Sequence, residues 1–279
     1  MNEIVKKIGE ELIYSSQHLE PSLVEQIKKM GIYYEDKNQA ASELLKAILL
    51  NLELSEKHNI PMCQDSGMVI AFVEVGGNSR YSLITIEEFI NQGISYAFKK
   101  GNFRASIVEE PLFNRSNTKT NLPPVIHWEP TKGDKVVIKF ILKGFGSENC
   151  STLTMLNPTS TKNDVIRSVV ESVKTAGGKP CPPIVVGVGL GGSGEQALLL
   201  SKKALLREVG QKHPEIQYAE LEKEIFDAVN ELNIGPGGFG GELTALDVAI
   251  EHSPTHIAGM PVGVSISCWA DRKGEVSFD

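Results

Sequence analysis

No stretch of this 279-residue chain approaches the ~18 consecutive apolar residues that a membrane span needs. The opening run Met1-Asn2-Glu3-Ile4-Val5-Lys6-Lys7 alternates charged with apolar residues and has no secretory hydrophobic region, so a cytoplasmic protein is expected. There is no long basic run, and a net charge of −7 favours solubility and disfavours general nucleic-acid binding. No two cysteines stand as Cys-x-x-Cys, which removes the zinc-finger and thioredoxin spacings. Four cysteines in a cytosolic chain do not read as a disulfide framework either, because thiols stay reduced there. Internal repeats, a low-complexity tail and a clear linker are also missing. With 41% hydrophobic and 23% charged residues, the simplest expectation is one mixed α/β (α+β) domain over 1–279.

Periodicity supplies the elements. Ile4, Val5, Ile8, Leu12 and Ile13 recur at helical spacing, a second helix opens at Pro21-Ser22, and a third runs from Asn38 to Lys57. The N-terminal region is therefore helical. A strand follows at Met68–Val75, and Thr85 with Glu88 has the spacing of a capping box for a helix ending at Gly101. Further strands are expected at Val125–Trp128, Lys135–Leu142, Ile184–Val188, Thr244–Ala249 and Val262–Ile266, with helices over Thr161–Ala176, Ser193–Arg207 and Pro214–Leu232. Asn114–Asn121 is polar without periodicity and reads as an ordered surface loop or active-site loop.

Three cysteines sit at element ends among Pro, Gly and small polar residues rather than inside a periodic element. They are Cys63 in Pro61-Met62-Cys63-Gln64-Asp65-Ser66-Gly67, Cys181 in Lys179-Pro180-Cys181-Pro182-Pro183, and Cys268 in Ser265-Ile266-Ser267-Cys268-Trp269. A buried thiol packing as a small hydrophobe is the ordinary fate of a cysteine; these settings suit a site on a rigid scaffold better. Gly187-Val188-Gly189-Leu190-Gly191-Gly192 matches G-x-G-x-x-G between a strand and a helix. A dinucleotide-binding unit normally opens its domain, however, and about 180 residues of another pattern come first. Glu195 also stands where a phosphate-binding lysine would be needed. The plainer reading is that these glycines admit a close neighbour. Arg104 and Arg115 could each clamp a carboxylate, and His256 lies between two small-residue loops, 12 positions before Cys268. His18, His58 and His213 look like exposed helix or helix-end residues, while His127 and His252 are undecided.

Taken in order, Cys63-Gln64-Asp65-Ser66-Gly67, Gly144-Phe145-Gly146-Ser147-Glu148-Asn149, Cys181-Pro182-Pro183 with Gly191-Gly192, and Pro254-Thr255-His256 followed by Cys268 and Ala270-Asp271-Arg272 span nearly the whole chain. Together they resemble the α subunit of class I, iron–sulfur fumarate hydratases and the similar L(+)-tartrate dehydratases. The resemblance implies a hydro-lyase with a [4Fe–4S] cluster on Cys63, Cys181 and Cys268, its fourth iron open to substrate as a Lewis acid. It also implies a dicarboxylate pocket lined by Gln64, Asp65, Arg104, the Gly146 backbone and His256, with Asp65 and His256 as the catalytic candidates. Arg104 fits the family better than Arg115, and Cys150 is expected not to be a ligand. In single-chain relatives a further C-terminal domain completes the site; here a separate β subunit is expected to do so, in an α2β2 assembly, with Gly235–Gly241 a candidate contact surface. Fumarate is the first-choice substrate and L(+)-tartrate the alternative. A nucleotide-binding oxidoreductase and a zinc-binding scaffold are the rival classes.

Overall fold

The structure, a computed structural model, describes residues 2–279. In chain order the elements are α1 (Glu3–Gln17), α2 (Pro21–Tyr34), α3 (Gln39–His58), β1 (Met68–Gly76), α4 (Leu83–Lys100), β2 (Val125–Thr131), β3 (Val136–Lys143), the single turn α5 (Phe145–Glu148), β4 (Thr152–Leu156), α6 (Lys162–Ala176), β5 (Ile184–Gly191), α7 (Gly194–Ala204), α8 (Ile216–Asn230), β6 (Ala245–Ser253), β7 (Met260–Ser267) and β8 (Lys273–Phe278). The fold is mixed α/β with a helical N-terminal region, as the periodicity predicts. The chain groups into two compact units. The first takes Met1–Leu19, Asn51–Phe145 and Ala270–Asp279; the second takes Glu20–Leu50 and Gly146–Trp269. No helix among the described residues is long and apolar enough to cross a membrane.

The first unit is built on a sheet of order β2-β1-β3-β8, in which β1 runs parallel to β2 and antiparallel to β3. Val69, Ala71 and Val73 alternate along β1 into a core shared with Ile8 and Leu12 of α1, Ile90 and Ile94 of α4, and Ile138 and Phe140 of β3. Helix α4 starts earlier than the Thr85/Glu88 spacing predicts. Ser82 holds extended backbone and its hydroxyl accepts the Thr85 N–H at 3.1 Å, so Ser82 is the N-cap and Thr85 lies inside the first turn. His127 packs its ring 5.0 Å from that of Phe72, as a sheet residue.

The second unit carries a sheet of order β4-β7-β5-β6, with β5 and β6 parallel and the other pairs antiparallel. Val186, Val188, Ile250 and Val264 meet Val169 of α6 and Ile225 of α8 in its core. Helix α7 lies so close to the sheet that a Cβ at Gly189 would stand 2.0 Å from the Ala197 carbonyl oxygen, and one at Gly187 would stand 2.1 Å from that of Ser201. The G-x-G pattern is therefore a helix-on-sheet contact, the plainer of its two sequence readings. On α8, Glu222 accepts the backbone N–H groups of Ile250 at 2.9 Å and His213 at 3.0 Å and pairs with the Arg207 guanidinium, tying α8 to edge strand β6. His213 is buried in consequence, not exposed as its helix-end position suggests.

Strands β4 and β8 escape the sequence pattern. Along β4 the half-buried positions are Thr152, Thr154 and Leu156, while Leu153 and Met155 are 41% and 61% exposed, which inverts the usual alternation.

Candidate active site

Each motif residue is held by a specific local device. In the first unit the Cys63 run ends at Gly67, where φ is +82° and a Cβ would meet the Leu142 carbonyl carbon at 2.8 Å; only glycine lets the chain pass β3 and enter β1 there. The Asp65 carboxylate is fixed at both oxygens, Oδ1 accepting the Gly67 N–H at 3.0 Å and Oδ2 the Phe145 N–H at 2.9 Å. Buried Ser66 accepts the Arg104 N–H at 2.9 Å, so the two motifs are joined directly. Asn121, fully buried, donates to the Gly67 carbonyl at 3.0 Å and accepts from Ser106 and Ile107. The result is a cavity of about 450 Å³ lined by Asp65, Arg104, Ser106, Arg115, Asn121 and Phe145, among others. Gln64 is exposed and Cys63 half-buried on the run beside Asp65.

In the second unit Cys181 precedes β5 and Cys268 follows β7. These strands are antiparallel with Val185 opposite Ser267, so both cysteines lie at the same end of the sheet. Exposed Cys181 is held at φ +57°, a sparsely populated conformation for a residue with a side chain. The glycine-rich run after α8 buttresses this loop, since the Gly237 N–H donates to the Pro182 carbonyl at 2.8 Å. Cys150 lies instead in the core, 8% exposed, its Sγ 3.5 Å from the Gly146 carbonyl oxygen. Gly146 lines a different cavity, of about 420 Å³, with Asn149, Cys150 and Lys179.

His256 is elsewhere. It sits in the connection from β6 to β7, and β7 then runs its full length before Cys268 is reached. At ~3.3 Å per residue β7 alone is about 23 Å long, with the His256 connection before its start and Cys268 after its end. Within this unit the His256 connection and the loops of Cys181 and Cys268 thus stand at opposite ends of the sheet. The side chain is exposed; its Nδ1 accepts the Ala258 N–H at 3.1 Å, which leaves the Nε2 position as the donor of the neutral ring.

Cys63 and Cys268 are half-buried and Cys181 exposed, each offering a soft thiolate donor on a loop of its own unit, whereas Cys150 is sequestered in the core. In the first unit the Arg272 guanidinium is 1% exposed, with Nε and Nη1 lacking hydrogen-bond partners. The sequence motifs reach Asp65 and Arg104, but the placement of Arg115 in the same cavity, and the staples Ser66 and Asn121, depend on tertiary contacts 15 to 54 residues apart in sequence.

The chain matches the family model described as Fumarate hydratase (Fumerase) over residues 5–277. It is 41% identical over 276 residues to a Methanocaldococcus jannaschii protein named provisionally as L(+)-tartrate dehydratase subunit alpha, covering 97% of this chain and 94% of that one. It is 34% identical over 229 residues to the L(+)-tartrate dehydratase subunit alpha of Escherichia coli K12, covering 80% of this chain and 74% of that one.

Proposed function

Because the chain belongs to the fumarate hydratase (Fumerase) family of hydro-lyases, we propose that it is the α subunit of an L(+)-tartrate dehydratase, converting tartrate to oxaloacetate and water. The observation that carries the reading is the match over 97% of the chain to a relative named for that reaction. It reverses the order of substrates expected from the sequence, leaving fumarate hydration to L-malate as the alternative.

In this reading Cys63, Cys181 and Cys268 hold a [4Fe–4S] cluster. When bound, the group supplies a Lewis-acid iron that eases departure of a substrate hydroxyl. The chain's residues do the rest. Arg104 holds a substrate carboxylate by paired N–H donors, with the Gln64 amide and the Gly146 backbone N–H adding donors. Asp65, positioned by two backbone N–H groups, retains lone pairs to accept or return a proton at its carboxylate. Loss of hydroxide from one carbon and a proton from the next gives the enol of oxaloacetate, and proton return to carbon gives the ketone.

His256 enters by assembly. Since it lies at the far end of its own sheet, it serves the cluster of a second copy of this chain. A separate β subunit completes the site, giving α2β2. The test is anaerobic turnover of both tartrates, L-malate and fumarate by the α–β complex, with iron and sulfide measured. L(+)-tartrate should show the highest kcat/KM; a higher value for fumarate would reinstate the alternative, and no turnover of any diacid would end both.

A further inference from the structure

The cavity of the first unit contains two guanidinium-bearing side chains, and the reading above uses one. Arg104 and Arg115 both line it, against a single carboxylate, Asp65, whose two oxygens are engaged by backbone N–H groups. The side-chain charge of the lining is thus one positive unit in excess, which suits an acidic ligand.

Arg115 is not on a floppy segment. Its loop forms a narrow ladder in which Val108 bridges Asn117, the Glu109 N–H donates to the Ser116 carbonyl at 2.8 Å, and the Thr118 N–H donates to that of Ile107 at 2.9 Å. Side chains add staples: Ser116 Oγ donates to Glu109 at 2.9 Å and Asn117 Nδ2 to the Ala105 carbonyl at 2.9 Å. At the tip, the Glu110 carboxylate accepts the N–H groups of Leu112, Phe113 and Asn114. These bonds, Asn114 and Leu112 foremost, hold it below the usual carboxylate range, with a smaller pull from the Arg115 charge. The guanidinium itself donates through Nη1 to the Pro111 carbonyl, which fixes its stem and uses one of five N–H donors. An arginine carried on a prepaid, hydrogen-bonded loop loses little further entropy when it binds.

We propose that Arg115 is a second carboxylate-binding residue of this cavity, selecting four-carbon dicarboxylates over monocarboxylic hydroxy acids. The proposal rests on the dicarboxylate reading above and extends it to a residue that sequence reasoning set behind Arg104. Arg104 and Arg115 then take one carboxylate each, and the monoacid forfeits a charge-assisted contact.

The experiment uses the anaerobic α–β complex with matched iron content. Arg115→Ala should raise KM for the preferred diacid by about 10–100-fold, the loss of one charge-assisted hydrogen-bonding group, while kcat changes far less. Calorimetric affinity for succinate, a non-reacting diacid, should fall by the same factor, and weak binding of butyrate should be unaltered. Arg115→Lys should recover only part of the loss, because a point charge does not reproduce the planar fork. Ser116→Ala, which removes a loop staple and leaves the guanidinium, should keep the wild-type KM. Unchanged KM and succinate affinity in Arg115→Ala would overturn the inference alone, as would an equal defect in Ser116→Ala. A wild type that neither binds nor converts any diacid would overturn the dicarboxylate reading with it.

Discussion

If His256 serves a second copy's cluster, His256→Ala and Cys268→Ser chains, each crippled alone, are expected to regain activity when they share one assembly. Strand β7, Met260–Ser267, is the ruler: its eight extended residues span about 23 Å between the connection that carries His256 and Cys268, far beyond the reach of one imidazole and a four-carbon substrate. A mixed pair has one complete site, combining the intact cysteine of the His256→Ala chain with the intact histidine of the other. Its second site lacks both. Random 1:1 pairing gives half of the assemblies mixed, and half of their sites competent, so the pool should recover about one quarter of wild-type activity. Mixed assemblies isolated with two different affinity tags should reach about one half. The assay is anaerobic dehydration of L(+)-tartrate after co-expression, against each variant alone. A mixture no better than the sum of its parts would refute the argument, because a site completed within one chain cannot be rescued in trans.

Other outcomes follow from the same geometry. Cys63→Ser, Cys181→Ser and Cys268→Ser should each abolish cluster assembly, measured as iron and sulfide per chain, while Cys150→Ser should keep the cluster; loss of iron in Cys150→Ser alone would reverse the ligand assignment. Gly189→Ala should destabilise by roughly 1–3 kcal/mol through forced separation of α7 from β5, a fall in melting temperature of about 2–4 °C per kcal/mol, and an unchanged melting curve would contradict the packing. Burial, only partly offset by the N–H groups of Gly210 and Val248, raises the Asp247 carboxyl above its ordinary range. The folded state therefore binds this proton more tightly than the unfolded state, and the contribution is favourable at low pH and lost as pH rises through the folded-state value. Asp247→Asn should remove that slope, so the variant gains on the wild type as pH rises above the ordinary carboxylate range in paired thermal melts; a constant difference would refute it.

The helices and inner strands were legible because their apolar residues follow the period of the element they occupy, as Val5, Ile8 and Leu12 do on α1 and Val69, Ala71 and Val73 on β1. Strand β4 was not, since an edge strand with Leu153 and Met155 turned outward gives no core signal. The Gly187/Gly189 pair shows the limit of a motif taken singly: the spacing is that of a phosphate loop, and the cause is a helix carbonyl 2.0 Å from where a Cβ would be. At the site, Cys63 and Asp65 could be singled out from their short run, and Arg104 only through the family resemblance. Arg115 could not be placed, because its position is decided by hydrogen bonds among Glu109, Glu110, Ser116 and Asn117 that leave no periodic trace. His256 entered the pocket through the family resemblance, and the strand between it and Cys268 puts the two at opposite ends of the sheet.

Strand order also sets a timetable for biosynthesis. In the first unit β3 ends at Lys143, and its second neighbour, β8, begins at Lys273. Throughout translation of the intervening residues, the outer edge of β3 waits with unpaired backbone groups, and its facing partner emerges only after the whole second unit has been made. Cys268 leaves the ribosome just ahead of β8, so the last proposed ligand and the closing strand appear almost together. The newly made chain therefore passes through an open-edged interval before β8 arrives. A chaperone or the partner subunit that shields β3 during that interval would raise the yield of active enzyme without touching the chemistry.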